Sequence, residues 1–266
     1  MKKKLTTSLV ITTYNWHQAL ELVLLSVKKQ RVLPNEVLIA DDGSTDETKT
    51  LIASFQKIFP IPIHHFWHED NGFRKAVILN KAIANSNSDY IIQVDGDCIL
   101  HENFIKDHLD LAVKNNYLFG SRVTIKKGYV TTLFNAKKIT FNFFSPDIKK
   151  RTRALCIPIL SSLYKVTNKL SHKFRGCNVS FWKKDFIAIN GYNEDFKGWG
   201  REDSELIVRM LNKGVLGKRL RYCGIIYHIY HDEKSRSRLE LNDEIQQNSI
   251  ANKLTWCTNG IDKYLT

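Results

Sequence analysis

Tyr90-Ile91-Ile92-Gln93-Val94-Asp95-Gly96-Asp97 is a short run rich in β-branched residues that ends in two carboxylates split by one glycine. An apolar run of this length reads as a buried strand, which puts the Asp-Gly-Asp at its carboxyl end, where open α/β sheets bind ligands. Two carboxylates there suit a hard divalent cation, Mn²⁺ or Mg²⁺, and the glycine admits a close approach of backbone or ligand. Asp-Gly is also a common turn dipeptide, so the three residues alone leave cation site and plain turn both open.

The flanking sequence repeats the pattern. Ser8-Leu9-Val10-Ile11-Thr12-Thr13 is an apolar strand, and Leu20, Val23, Leu24 and Val27 follow it at helical spacing. Glu36-Val37-Leu38-Ile39-Ala40 is a second strand ending at Asp41-Asp42-Gly43, after which Ser44 or Thr45 can cap a helix. Ile61 to Phe66 reads as a third strand, Asn71-Gly72 as a turn, and Ala76, Leu79, Ala82 and Ile83 as a helix leading into the central strand over 89–95. Strands alternating with helices imply βαβ units and a mainly parallel sheet flanked by helices, a Rossmann-like nucleotide-binding half. Polar residues close each strand and would converge on one sheet edge. No Gly-x-Gly-x-x-Gly follows the first strand and no P-loop occurs, which disfavours dinucleotide oxidoreductases and P-loop kinases.

The 266 residues, 43% of them hydrophobic, suffice for one large domain or two small ones. No run reaches the roughly 18 apolar residues of a membrane span, and the lysine-rich start leads into a strand rather than a signal peptide, so the expectation is cytoplasmic. Five scattered cysteines without Cys-x-x-Cys spacing argue for reduced packing residues. The formal charge of +13 is concentrated: Arg122 to Arg175 holds nine Lys and four Arg against the single acid Asp147, a net of +12. Such a patch suits nucleic acid, an anionic membrane surface or an acidic substrate.

In the second half, Gly198-Trp199-Gly200 is a flexible turn ahead of Glu202-Asp203-Ser204-Glu205, which begins a run of helical spacing. A carboxylate in a helix's first turn is stabilised in its ionised form, as a general base must be, and an exposed indole suits the face of a sugar ring. His228 and His231 follow a strand-like run, with Lys234, Arg236 and Arg238 beyond as groups for phosphate oxygens. Leu239, Ile245, Ile250 and Leu254 mark a tail helix ending near Thr258-Asn259-Gly260.

Four pieces in order, Val10-Ile11-Thr12-Thr13-Tyr14-Asn15, Ala40-Asp41-Asp42-Gly43-Ser44-Thr45-Asp46, Asp70-Asn71-Gly72-Phe73-Arg74-Lys75-Ala76 and Val94-Asp95-Gly96-Asp97, resemble the N-terminal half of family 2 glycosyltransferases of the GT-A fold. Phe174 to Trp182, Gly191 to Phe196 and Gly198 to Glu205 are similar to the galactosyltransferase-type region that also occurs in bacterial chondroitin-type polymerases. The resemblance implies an inverting, metal-dependent transferase that takes galactose or an N-acetylhexosamine from a UDP-sugar. It assigns Thr12, Tyr14, Asn15 and Asp42 to uracil and ribose, Asp95 to the ribose side and the metal, Asp97 to the metal, and Arg74 to the diphosphate. His228, with His231 as the alternative, becomes the third metal ligand, Asp203 the base, and Glu202 with Trp199 the acceptor binders.

On this reading one GT-A domain divides into a donor half (about 5–121), a basic insertion (about 122–175), an acceptor half (about 176–235) and a helical tail (about 236–266). The insertion mixes its charge with Phe141, Phe143, Phe144, Leu155, Ile157, Ile159, Leu160, Leu163 and Tyr164, which favours an anionic membrane surface over nucleic acid. The expected protein works at the inner face of the cytoplasmic membrane, extending a lipopolysaccharide or capsule glycan on a saccharide or lipid-linked acceptor. Its rivals are a nucleotidyltransferase on a related sheet and a non-catalytic carbohydrate- or nucleic-acid-binding module.

Overall fold

The computed structural model of the chain describes residues 5–232 and 238–265. Its strands are β1 (Thr7–Thr13), β2 (Glu36–Asp41), β3 (Ile63–Trp67), β4 (Tyr90–Asp95), β5 (Cys98–Leu100), β6 (Asn116–Phe119), β7 (Arg122–Ile125), β8 (Ile148–Lys149), β9 (Val166–Thr167), β10 (Asn178–Trp182), β11 (Leu216–Arg219) and β12 (Ile226–His228). The α-helices are α1 (His17–Lys28), α2 (Asp46–Ile58), α3 (Lys75–Ala84), α4 (Phe104–Asp110), α5 (Val130–Asn135), α6 (Lys183–Ile187), α7 (Glu202–Asn212) and α8 (Leu239–Ala251). Strand order in the main sheet is β3-β2-β1-β4-β10-β6-β11-β9, and β5-β12-β7-β8 form a smaller one.

The first four strands are parallel, as the βαβ reading expects. Both faces of this part are covered: Val10, Leu38 and Ile91 pack with α3, α6 and α7, while Leu9, Ile11, Val37, Ile39, Ile92 and Val94 pack with α1, α2 and α4. That double burial is why these strands read as unbroken apolar runs rather than as alternating ones. Beyond β4 the sheet turns mixed. β10 enters antiparallel with Asn178 opposite Val94, so the residues just before it, Gly176 and Cys177, arrive beside the Asp95-Gly96-Asp97 turn.

In the small sheet β12 pairs antiparallel with β5, His228 opposite Cys98, and parallel with β7. The basic stretch is woven into both sheets through β7, β8 and β9. Part of its apolar content is core: Phe141 and Ile148 are buried, and Tyr227 Oη donates to the Phe141 carbonyl at 2.7 Å. Phe144, Ile159 and Leu163 stay exposed, at 82%, 80% and 71%. The tail helix stops earlier than its apolar spacing suggests. Lys253 turns left-handed (φ 49°) and Leu254 N–H closes back on the Ser249 carbonyl, a Schellman-type end after Ala251.

Candidate active site

The turn after β4 is where the carboxyl ends of the parallel strands meet both the incoming β10 and the small sheet. Gly96 N–H donates to the Thr12 carbonyl at 2.7 Å, and a Cβ on Gly96 would lie 2.7 Å from that same oxygen. No larger residue fits there without moving β1 away from β4. Asp95 Oδ1 accepts from Thr12 Oγ1 at 2.8 Å and from Lys75 Nζ at 2.6 Å. Burial alone would lower the Lys75 ammonium, but the Asp95 and Glu202 carboxylates outweigh it and hold the group well above its ordinary value.

Asp97 points the other way. Its Oδ2 lies 3.4 Å from His228 Nε2 and 3.3 Å from His231 Nε2, and the donor atoms of the three residues all fall within 4.8 Å of one another. Burial would raise the Asp97 carboxyl; the two imidazoles overcome this and hold it well below the usual carboxylate range. Burial pushes His228 down despite Asp97, and Arg122 Nη1 approaches His228 Nε2 at 3.4 Å. Burial thus favours the neutral imidazole, the form that offers a ring nitrogen lone pair to a metal. The set fits a divalent ion on these grounds. Asp95 is outside this cluster, engaged by Thr12 and Lys75, while both histidines that sequence offered as alternatives are inside it.

On the opposite side Gly198 (φ 74°), Gly200 (φ 109°) and Arg201 (φ 75°) bend the chain sharply into α7. Asp203 Oδ2 accepts from Gly176 N–H and Oδ1 from Ser204 N–H, both at 2.7 Å. Gly176 has no room for a side chain, since a Cβ would meet Asp203 Oδ2 at 2.7 Å. Glu202 is buried and accepts from Gly200 N–H at 3.1 Å. Burial, then Asp203, push its carboxyl up to about 7, against the pull of Lys75.

These groups wall a cavity of about 720 Å³, within the range of small-ligand sites. Thr12, Tyr14, Asn15, Asp42, Asp95 and Asp97 all line it. Asp42 is fixed by His68 Nε2 at 2.8 Å and by Arg74 N–H at 3.0 Å; Asn15, left-handed at φ 47°, accepts from Thr45 N–H. A second hollow of about 630 Å³ adjoins it and shares Arg175, Trp199, Glu202 and Asp203.

A family model described as Glycosyl transferase family 2 matches residues 8–169. The chain belongs to that family. A further model, described as the N-terminal domain of galactosyltransferase, matches residues 161–232, the span that carries Trp199, Glu202, Asp203 and both histidines. The transferase chain is 26% identical over 223 residues to chondroitin synthase of Escherichia coli, covering 78% of this chain and 32% of that protein. Against hyaluronan synthase of Pasteurella multocida the identity is 23% over 257 residues, 91% of this chain and 26% of the other. The chain thus spans about a third or less of the length of these relatives. Among solved structures it is similar to S. aureus TarS 1-349 in complex with UDP-GlcNAc, with a TM-score of 0.62 at 16% identity over 98% of this chain and 70% of that one. It is also similar to the mannosyltransferase PcManGT from Pyrobaculum calidifontis in complex with GDP-Man and Mn²⁺, with a TM-score of 0.58 at 17% identity over 85% and 57%. At such identities the likeness is one of fold, and the fold is GT-A.

Arg74 is not on the cavity wall: its guanidinium turns to the Glu69 carbonyl at 2.7 Å. Lys75 takes that place. Its signal was helical phase, because Lys75 shares a face with Ile78, Leu79 and Ala82, all fully buried, and a lysine on a buried face needs a partner. Arg122 and Arg175 also line the cavity, hidden in the sequence among the other charges of the basic stretch. Lys234 and Arg236 lie outside the described residues.

Proposed function

We propose that the chain is an inverting, metal-dependent transferase that moves galactose or an N-acetylhexosamine from a UDP-sugar to a saccharide or lipid-linked saccharide in the synthesis of a bacterial surface glycan. The observation that carries this reading is the wall common to the two hollows, where Trp199, Glu202 and Asp203 stand between one space for a donor and one for an acceptor. The UDP and GDP-mannose held by structures of the same fold support a nucleotide-sugar donor.

Thr12, Tyr14, Asn15 and Asp42 would hold the base and ribose at the β1 and β2 ends. An acceptor hydroxyl then attacks the anomeric carbon, the bond from that carbon to the diphosphate oxygen breaks with its electron pair leaving on UDP, and Asp203 takes the hydroxyl proton. Glu202 and Trp199 would bind the acceptor. Asp97, His228 and His231, with Asp95 alongside, would hold the divalent ion, Mn²⁺ in preference to Mg²⁺ because two donors are nitrogen; the chemistry it supplies is Lewis-acid neutralisation of charge on the leaving diphosphate.

Phe144, Ile159 and Leu163, exposed within the basic stretch, support peripheral attachment to an anionic membrane as part of this proposal. No helix among the described residues is long and apolar enough to cross one. The test is a screen of UDP-sugars for released UDP, with and without Mn²⁺. Release of UDP supports a transferase. Pyrophosphate in its place would indicate the nucleotidyltransferase, and no turnover of any UDP-sugar by the metal-loaded protein would end the proposal.

A further inference from the structure

Beside the donor cavity six cations gather: Arg122, Lys150, Arg153, Arg175, Arg219 and Arg221. Arg122 and Arg175 line the cavity itself. Arg153 Nη1 donates to the Arg122 carbonyl at 3.0 Å, and Arg219 Nη2 to Ser121 Oγ at 3.1 Å, so β7, the turn at 151–154 and the end of β11 share one positive field. Among the described residues none of the six is ion-paired with a carboxylate. Burial first, then Arg219, Arg221, Arg122 and Arg175, lower the Arg153 guanidinium; burial, then Arg153, Arg122 and Arg175, lower Lys150. Two aromatic rings lie among them: Arg219 sits 5.7 Å from the Tyr164 ring, Arg221 4.6 Å from the Tyr222 ring, and the rings meet edge to face at 6.3 Å.

Like charges packed this way repel, and the field they create concentrates anions at the mouth of the cavity. We infer that this basin seats an anionic saccharide acceptor, a chain bearing carboxylate or phosphate groups, whose end reaches the second hollow beside Asp203. The inference rests on the transferase reading above. Of the six, the four guanidiniums of Arg122, Arg153, Arg219 and Arg221 are half-buried, and Lys150 and Arg175 are exposed. Half-buried guanidiniums meet the charges of a chain that enters, whereas a headgroup plane meets protruding ones. The planar guanidinium also pairs in bidentate fashion with carboxylate and phosphate alike.

The test measures binding to the full chain, with UDP present, of three probes: a glucuronate-containing hexasaccharide, its carboxyl-reduced neutral counterpart, and a phosphodiester-linked oligosaccharide. At least one charged probe should bind about tenfold or more tightly than the neutral one, weakening as salt rises; which of the two does so identifies the anion. The double variant Lys150→Asn with Arg221→Gln should weaken that probe by roughly tenfold and leave the neutral probe unchanged. Asparagine tolerates the left-handed backbone of Lys150 (φ 60°), so this change adds little strain. Arg153→Gln provides a second, independent reading with the same expected direction. Equal affinity for charged and neutral probes, or unchanged affinity in both variants, overturns the inference. Loss of binding to phosphatidylglycerol vesicles with probe affinity retained also overturns it, and makes the basin a membrane contact. The two readings separate cleanly: UDP-sugar turnover that ignores acceptor charge removes the basin and keeps the transferase, whereas charge-selective probe binding without turnover does the reverse.

Discussion

Replacing Asp203 by asparagine tests the base, and the structure sets what else the change will do. Both Asp203 oxygens accept backbone N–H groups at 2.7 Å, from Gly176 and Ser204. A carboxylate meets both and keeps further lone pairs for an acceptor hydroxyl, but asparagine has a single oxygen. Its NH₂ must face one of the two N–H groups. The lost charge-assisted bond costs about 1.5–3 kcal/mol and the lost anion at the start of α7 about 0.3–1 kcal/mol, so urea denaturation should show the variant less stable by about 2–4 kcal/mol. Removing the proton acceptor should lower kcat by about 10²–10⁴, or roughly 3–5 kcal/mol of barrier. UDP affinity, which the proposal assigns to Thr12, Asn15 and Asp42, should stay within about twofold when measured by calorimetry below the unfolding transition. Gly176→Ala is the companion: its Cβ would meet Asp203 Oδ2 at 2.7 Å, so it should displace the carboxylate and slow turnover with UDP binding kept. Wild-type turnover in Asp203→Asn, or a loss confined to UDP affinity, would refute the assignment.

Asp97→Ala should abolish Mn²⁺ binding in the presence of UDP, read by electron paramagnetic resonance, and chelator should stop turnover of the wild type; turnover that survives both removes the metal site. Glu202, whose carboxyl is raised from 4.5 to about 7, holds its proton longer in the folded chain than in the unfolded one. Its contribution to stability is therefore fully present below about pH 4.5 and lost as pH rises through about 7. Asp107, raised to about 6 by burial, has the same sign, so the measurement is the difference between wild type and Glu202→Gln, which should lose part of that slope. The same Glu202→Gln should raise acceptor KM more than it lowers kcat. The chain should sediment with anionic vesicles and not neutral ones, and be released by salt, since exposed charges are screened within about 8 Å at physiological ionic strength; equal binding to both removes the electrostatic anchor.

Much of this site was legible because strand ends and helix starts are local features. A β-branched run followed by Asp-Gly-Asp, and acids at the start of an amphipathic helix, need only their own neighbours to be read. The cavity accordingly collects Thr12, Tyr14, Asn15, Asp42, Asp95, Asp97, Trp199, Glu202, Asp203 and both histidines. Arg74 and Lys75 show the limit: both are cations at one helix start, and only the backbone direction there, with Arg74 as the N-cap at φ −130°, decides which side chain faces the cavity.

By itself the sequence determined the parallel half of the sheet, since strands buried on both faces must be apolar throughout, and it determined which residues close those strands. Tertiary structure decided the rest. That Asp95 meets Lys75 while Asp97 meets both histidines, and which of thirteen cations in one stretch reach the cavity, depend on β10 and β12 docking antiparallel against β4 and β5. Those pairings join residues about 80 and 130 positions apart, and no local pattern encodes an approach over such separations, because only the summed burial of the whole sheet selects it.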